Sequence, residues 1–393
     1  MLQRALDDSY PAEVRDHITL LTGARTCANA CFRFAPPFLA TIAAGQGTSL
    51  DRIGVALAVS ELSGLASPLT ARVADRFHRR TAMTAGLVGV GLGATLAGLS
   101  GHLVVFTVAL VVLAQSKVMF DLGLASWVSD RVPFERRGRV IGLTETSWAL
   151  GLLLGVTTMG LITATTSWRI GYAAGAVAVV AMAGLVVRAI PDDGVGQGHA
   201  DRPRSHARIV PRGWVVAAAV FCLMAASQFL FVTFGSWLQD HAGLTDTGVS
   251  IVVFGLGFGE LLSSLSAARY SDRWGKERAA AIGAGIMIPA ALGLALAHGH
   301  TWIGLPLLVV AIAAFEFGIV SAIPLSSEIV PGAPARGMAL TLAVGTLGRA
   351  VASIPATRLY VRHGMAWPAV MCAVLAGGGV LAMGRARAMR PVS

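Results

Sequence analysis

LVVFTVALVVLAQSKVMFDLGLASWV, residues 103–128, is an apolar run interrupted by one base, Lys117, and one acid, Asp121. A helix needs about 20 predominantly apolar residues to cross the hydrocarbon of a bilayer, and this stretch is long enough. A charge at mid-bilayer costs roughly 3 kcal/mol even on the lenient insertion scale, so neither residue sits there idly. They stand at i and i+4, the spacing at which two side chains share a helix face and can pair.

Outward from this run, hydropathy predicts twelve spans. They lie at 17–44, 50–71, 81–100, 103–128, 140–163, 168–187, 213–238, 246–268, 279–297, 302–326, 338–359 and 366–384. Arg25 and Arg33 fall in the first span, Glu61 in the second and Glu145 in the fifth. Glu260 falls in the eighth, Glu316 in the tenth and Arg349 in the eleventh. Apart from Arg169 at the very edge of span 6, spans 3, 6, 9 and 12 carry no charge, and neither does span 7. Ionisable residues inside a membrane mark pathways and relays. The pattern predicts a polar cavity lined by spans 1, 2, 4, 5, 8, 10 and 11, with every third helix facing lipid. That is the plan of a membrane transporter.

Composition agrees, since 55% of residues are hydrophobic and only 13% charged, which excludes a soluble globular domain. The loops left between spans are short and offer no room for a soluble catalytic domain. The charged segment before residue 17 and the long apolar stretch after it, with Pro36-Pro37 inside, predict a retained first helix rather than a cleaved signal. The net charge of +10 is distributed by side. With the N-terminus cytoplasmic, 23 Lys and Arg fall inside, and only Arg52, Arg169, Arg358 and Arg362 fall outside. The positive-inside rule accounts for this, so basicity records topology and predicts no nucleic-acid partner. Both termini are expected in the cytoplasm of a bacterial-type inner membrane. Cys27, Cys31, Cys222 and Cys372 all lie in spans without metal-site or redox spacing, and they predict packing.

An internal repeat divides the chain. Ala71-Arg72-Val73-Ala74-Asp75-Arg76 is echoed by Ala268-Arg269-Tyr270-Ser271-Asp272-Arg273, and Ser129-Asp130-Arg131-Val132-Pro133 by Ser327-Glu328-Ile329-Val330-Pro331. Residues 189–212 are polar and rich in Gly and Arg, as a linker should be. The expected organisation is an N-terminal six-helix bundle over 1–188, a cytoplasmic loop over 189–212 and a second bundle over 213–393. The fold class is thus all-α membrane protein, with a site near the midplane between the repeats.

The loop Ala71-…-Asp75-Arg76-Phe77-His78-Arg79-Arg80 resembles the signature between helices 2 and 3 of the major facilitator superfamily, with Ala71 and His78 replacing its two glycines. The second copy keeps Asp272, Arg273, Gly275 and Lys276. The resemblance implies a twelve-helix carrier whose cytoplasmic gate is latched by Asp75, Arg76, Arg79, Arg80 and Asp130, and in the second half by Asp272, Arg273 and Glu328. Read plainly, these are also ordinary juxtamembrane topology charges. In span 5, Gly142, Gly151, Gly155 and Gly160 resemble the antiporter signature of drug:proton exporters, with Val156 in place of its proline and Met159 in place of a glycine. Glycines at this spacing allow close helix approach. In span 4, Lys117 and Gly123 resemble part of the family's R-x-x-Q-G-x-G motif, whose arginine is associated with proton coupling.

For coupling the order expected is Asp121, then Glu316, then Glu61, with Lys117 and Arg33 as companions. Desolvation raises a carboxyl's pKa and a neighbouring cation lowers it, so a buried acid near a base can exchange a proton as helices separate. A neutralised structural pair is the plain alternative for Lys117 and Asp121. Arg25 lies near the cytoplasmic end of its span and is expected to snorkel. Asn29 and Arg33 share its stripe, and Arg33 is too deep to snorkel. Substrate-lining candidates are Asn29, Arg33, Glu145, Trp148, Gln228, Phe234, Glu260, Glu316 and Arg349, with Phe34, Phe229, Phe231, Trp237 and Phe315 as further aromatics. The Gly89-x-Gly91-x-Gly93 and Gly255-x-Gly257-x-Gly259 runs lie inside spans, where no phosphate reaches, and predict packing. No P-loop, H-E-x-x-H or nucleophile elbow is present, so neither ATP-driven transport nor an enzyme is expected.

The function expected is proton-driven export of a small amphiphilic molecule, by a monomer in the lipid bilayer, with no cofactor or metal. A proton symporter importing a metabolite is the alternative carrier. A receptor or inactive homologue is the non-transport alternative, and it predicts a dispensable charge set.

Overall fold

The computed structural model describes residues 6–74, 76–133, 136–191, 209–330 and 334–389, and these fold into helices with no strand among them. The long helices are α1 (Ala12–Arg33), α2 (Leu50–Ala74), α3 (Arg79–Leu99), α4 (Leu103–Arg131), α5 (Arg137–Thr165) and α6 (Trp168–Ala189). In the second half come α7 (Pro211–Ala242), α8 (Asp246–Trp274), α9 (Lys276–Ala297), α10 (Thr301–Glu328), α11 (Arg336–His363) and α12 (Ala366–Ala388). Each expected span has its helix, but the first, expected unbroken over 17–44, ends at Arg33. Eleven, α2 to α12, are long and apolar enough to cross a membrane. The exception is α1, because Glu13, Arg15, Asp16, Arg25 and Arg33 lower its hydropathy.

Irregularities fall where the chain's chemistry puts them. α1 stops short of Pro36-Pro37, since proline removes a backbone donor and restricts the residue before it. A 3-10 turn, Pro36–Phe38, and a short helix, Leu39–Gly45, follow. α7 is interrupted at Val232-Thr233, where the Thr233 hydroxyl donates to the Phe229 carbonyl at 2.6 Å, a back-bond that bends helices. Within α5, Gly151–Val156 is a π-helical segment. Gly275, between α8 and α9, has φ 84°, a left-handed conformation that favours glycine. His78 stands at the corresponding place before α3 with φ −57°, so the first copy of the loop has no need of a glycine there.

The chain forms two compact units. One contains Met1–Ala35 and Ala66–Arg202, and the other Pro36–Leu65 and Pro203–Ser393. In the first unit α3 packs tightly on α4, where a Cβ on Gly93 would lie 2.8 Å from the Leu113 nitrogen. Gly89 and Gly91 also abut neighbours, Ser116 and Val180, so this glycine run packs helices as expected. The run at 255–259 differs. Gly255 faces open space and Gly259 makes only ordinary contacts at 3.7 Å, so close packing does not require those two glycines. In the second unit α9 meets α10 through Gly283, whose added Cβ would sit 2.6 Å from the Gly318 Cα, and α2 packs along α11.

Candidate transport site

In the first unit, α1, α4 and α5 bring four ionisable side chains together. Lys117 and Asp121, one turn apart on α4, pair at 2.6 Å from Nζ to Oδ2. Asp121 Oδ1 accepts from Arg25 Nε of α1 at 2.9 Å. Another guanidinium nitrogen of Arg25 lies 2.8 Å from Glu145 Oε1 on α5 and donates to the Thr144 carbonyl at 3.1 Å. Two bases meet two acids, and the set is neutral. Arg25 is therefore no snorkelling helix-end charge. Its side chain is 13% exposed, because α4 and α5 supply carboxylates at its own depth.

One turn further along α1, Asn29 donates to the Ser147 hydroxyl at 3.2 Å, and both residues are buried. Arg33 follows on the same stripe. It is buried, with its guanidinium 4.5 Å from the centre of the Trp148 ring and a hydrogen bond to the Trp148 carbonyl at 2.9 Å. Lys117 Nζ lies 5.7 Å from the rings of both Phe32 and Trp148. Cations over aromatic faces gain from the ring quadrupole, most where water is excluded.

Glycine sets how close α5 comes to α1. A Cβ on Gly155 would overlap that of Ala30, and one on Gly151 would lie 2.8 Å from the Asn29 Cβ. The two inner glycines of the span 5 motif thus serve the α1 contact. Gly160 is buried, whereas Gly142 faces open space and serves no close approach.

The second unit holds the other membrane charges. Glu61 and Arg349 pair at 2.5 Å across the α2–α11 packing. Gln228 donates to the Ser353 hydroxyl at 2.8 Å. Glu260 and Ser264 lie one turn apart on α8, and the Ser264 hydroxyl donates to Glu316 Oε1 on α10 at 2.7 Å, with both acids buried. Phe234 and Trp237 are fully buried, and the Trp237 indole donates to the His298 carbonyl at 2.9 Å. Phe34 is fully buried against Tyr172, with ring centres 4.8 Å apart.

At the loop ends, Arg79 Nε donates to Asp130 Oδ2 at 2.9 Å, the partnership expected from the motif. Asp75 lies outside the described residues. Arg76 is exposed and Arg80 half-buried. The second copy is wired differently. Asp272 and Arg273 are exposed, and Glu328 pairs at 3.0 Å with Arg212, at the start of α7, not with Arg273. Arg212 also bonds Glu277, which is buried. Glu277 stands where the first copy has Arg80, so acid faces acid there and the neutralising base comes from α7. The repeat offset shows that substitution in the sequence, but Arg212 and Glu277 carried no motif to single them out.

Helices this apolar, with charged pairs held inside them, define a multi-pass membrane transporter. The sequence profile of the Major Facilitator Superfamily matches residues 21–353, and the chain belongs to that family. It is 25% identical over 329 residues to an uncharacterized MFS-type transporter, YwfA, of Bacillus subtilis (strain 168), covering 79% of this chain and 77% of that one. A crystal structure of a bacterial homolog to the human lysosomal transporter Spinster, inward-facing and unoccupied, superimposes with a TM-score of 0.77 at 14% identity, covering 97% and 99% of the two chains. The human organic anion transporter MFSD10 (TETRAN) gives a TM-score of 0.69 at 16% identity, covering 96% of this chain and all of that one (100%). These structures share the fold.

Proposed function

We propose that the protein is a proton-driven exporter of a small amphiphilic molecule, working by alternating access from an inner membrane with both termini cytoplasmic. The observation that carries this reading is the neutral quartet of Lys117, Asp121, Arg25 and Glu145 inside the apolar part of the first unit. Taking charges out of water is costly, and a protein of this class gains little structurally that apolar residues could not supply. Carboxylates held beside cations are suited to taking up and releasing protons as their surroundings change. The close Gly151 and Gly155 contact with α1 supports export over import, because it is the packing element of the antiporter-type motif.

Import of a metabolite with a proton is the second reading, favoured by the missing proline at Val156. Organic anions enter the candidate substrates through the structural neighbour whose name states that class. Arg33 stacked on Trp148 would suit a planar acid. The test is accumulation of a panel of amphiphilic cations, anions and neutral compounds in everted vesicles with an imposed pH gradient. Accumulation that needs both the protein and the gradient supports export. A panel concentrated only by right-side-out vesicles would favour import.

A further inference from the structure

Asp121 and Glu145 share Arg25, but they hold it on unequal terms. Both oxygens of Asp121 are engaged, Oδ1 by Arg25 at 2.9 Å and Oδ2 by Lys117 at 2.6 Å. A proton reaching Asp121 would have to displace one of two cations. Glu145 is held through Oε1 alone, by Arg25 at 2.8 Å, and its side chain is 45% exposed, against 26% for Asp121. A carboxylate with two cations on it keeps its charge more stubbornly than one with a single cation and an open oxygen. Arg25 loses little when Glu145 is neutral, since it retains Asp121 and the Thr144 carbonyl.

We propose that Glu145 is the acid of the first unit that takes up the exchanged proton, with Arg25 as the shared cation that reports its charge to Asp121 and Lys117. This rests on the proton-coupled reading above and deepens it. The charged group against Glu145 is Arg25 of α1, which links it to Asp121 and, through Asp121, to Lys117 of α4. With Glu145 charged the set is neutral and Arg25 ties α1 to both α4 and α5. With Glu145 protonated the set carries one positive charge, and Arg25 keeps Asp121 as its charged partner, with only the Thr144 carbonyl left to hold it on α5. The tie between α1 and α5 then slackens beside Thr144 and Glu145, on the same helix pair whose close packing runs on through Gly151 and Gly155. Protonation is thereby converted into a weaker α1–α5 contact, where a conformational step can begin.

The test needs no substrate. Infrared difference spectra of the protein reconstituted in lipid, between alkaline and acid buffer, report carboxyl groups that gain a proton out of bulk water. Expected is a protonated-carboxyl band in the wild type that disappears in Glu145→Gln and persists in Asp121→Asn. Because Asp121→Asn leaves two bases against one acid, Asp121→Asn/Lys117→Met restores neutrality and keeps the comparison if the single variant misfolds. Loss of the band in the Asp121 variants, or its survival in Glu145→Gln, overturns the assignment. Failure of the parent reading looks different: wild-type transport indifferent to a pH gradient while the Glu145 band still titrates.

Discussion

Replacing Arg25 with methionine separates the two roles open to that residue. As a helix-end charge reaching toward water, Arg25 would be dispensable for stability, and a methionine of similar length would cost within about 0.5 kcal/mol. As the shared cation of Asp121, Glu145 and the Thr144 carbonyl, it is one partner of a largely buried set. Removing one partner of a buried ion pair costs about 3–5 kcal/mol, because the other charge is left behind. The lower end applies, since Lys117 still neutralises Asp121 and the Glu145 side chain is 45% exposed. The loss is read as a fall in the unfolding temperature of the purified protein in detergent. Arg25→Met/Glu145→Gln leaves only the neutral Lys117–Asp121 pair and should recover most of the stability, with the non-additivity measuring the coupling. A stable Arg25→Met protein, or a double variant no better than the single one, would refute the quartet as an energetic unit.

Other consequences follow the same geometry. Gly155→Leu should cost at least about 1–3 kcal/mol by overpacking against Ala30, whereas Gly142→Ala should change the unfolding temperature little, as its surroundings are open. Arg212→Met strips buried Glu277 of its α7 partner and should destabilise the second unit, with Glu277→Gln in the same chain restoring much of the loss by thermal melt. Topology is checked at Ser205→Cys, which should resist an impermeant thiol reagent in intact cells and react once the membrane is opened. Asp130→Asn should weaken the Arg79 contact and lower transport with near-normal expression, measured per molecule in vesicles.

The spans were legible because apolar length is a property of the chain alone, and each expected span has its helix. The Lys117–Asp121 pair was legible in a one-turn spacing, whereas the break after Arg33 was not foreseen, because apolar length alone carried the first span through Pro36-Pro37 to residue 44. What the sequence could not supply was which faces of different helices meet. Arg25 looked like an end charge because its depth was judged along its own helix, while its acids lie on α4 and α5. The stripe it shares with Asn29 and Arg33 was the available signal, since all three face α5. Arg212 and Glu277 were invisible for a related reason: the repeat aligns acid with base there, and the compensating charge sits on a third helix. Likewise Gly142 fitted a motif spacing that the packing of α1 against α5 does not use.

Proton movement during transport distinguishes export by proton exchange from every other mode of carriage. Everted vesicles containing the protein and a pH-sensitive dye in the lumen are given a compound that they accumulate. Proton-coupled export predicts that the compound enters as protons leave, so the lumen turns alkaline, and that Glu145→Gln abolishes the signal while compound exchange continues. A lumen that turns more acid, as cotransport requires, or one whose pH does not change as the compound enters, would rule out proton-coupled export.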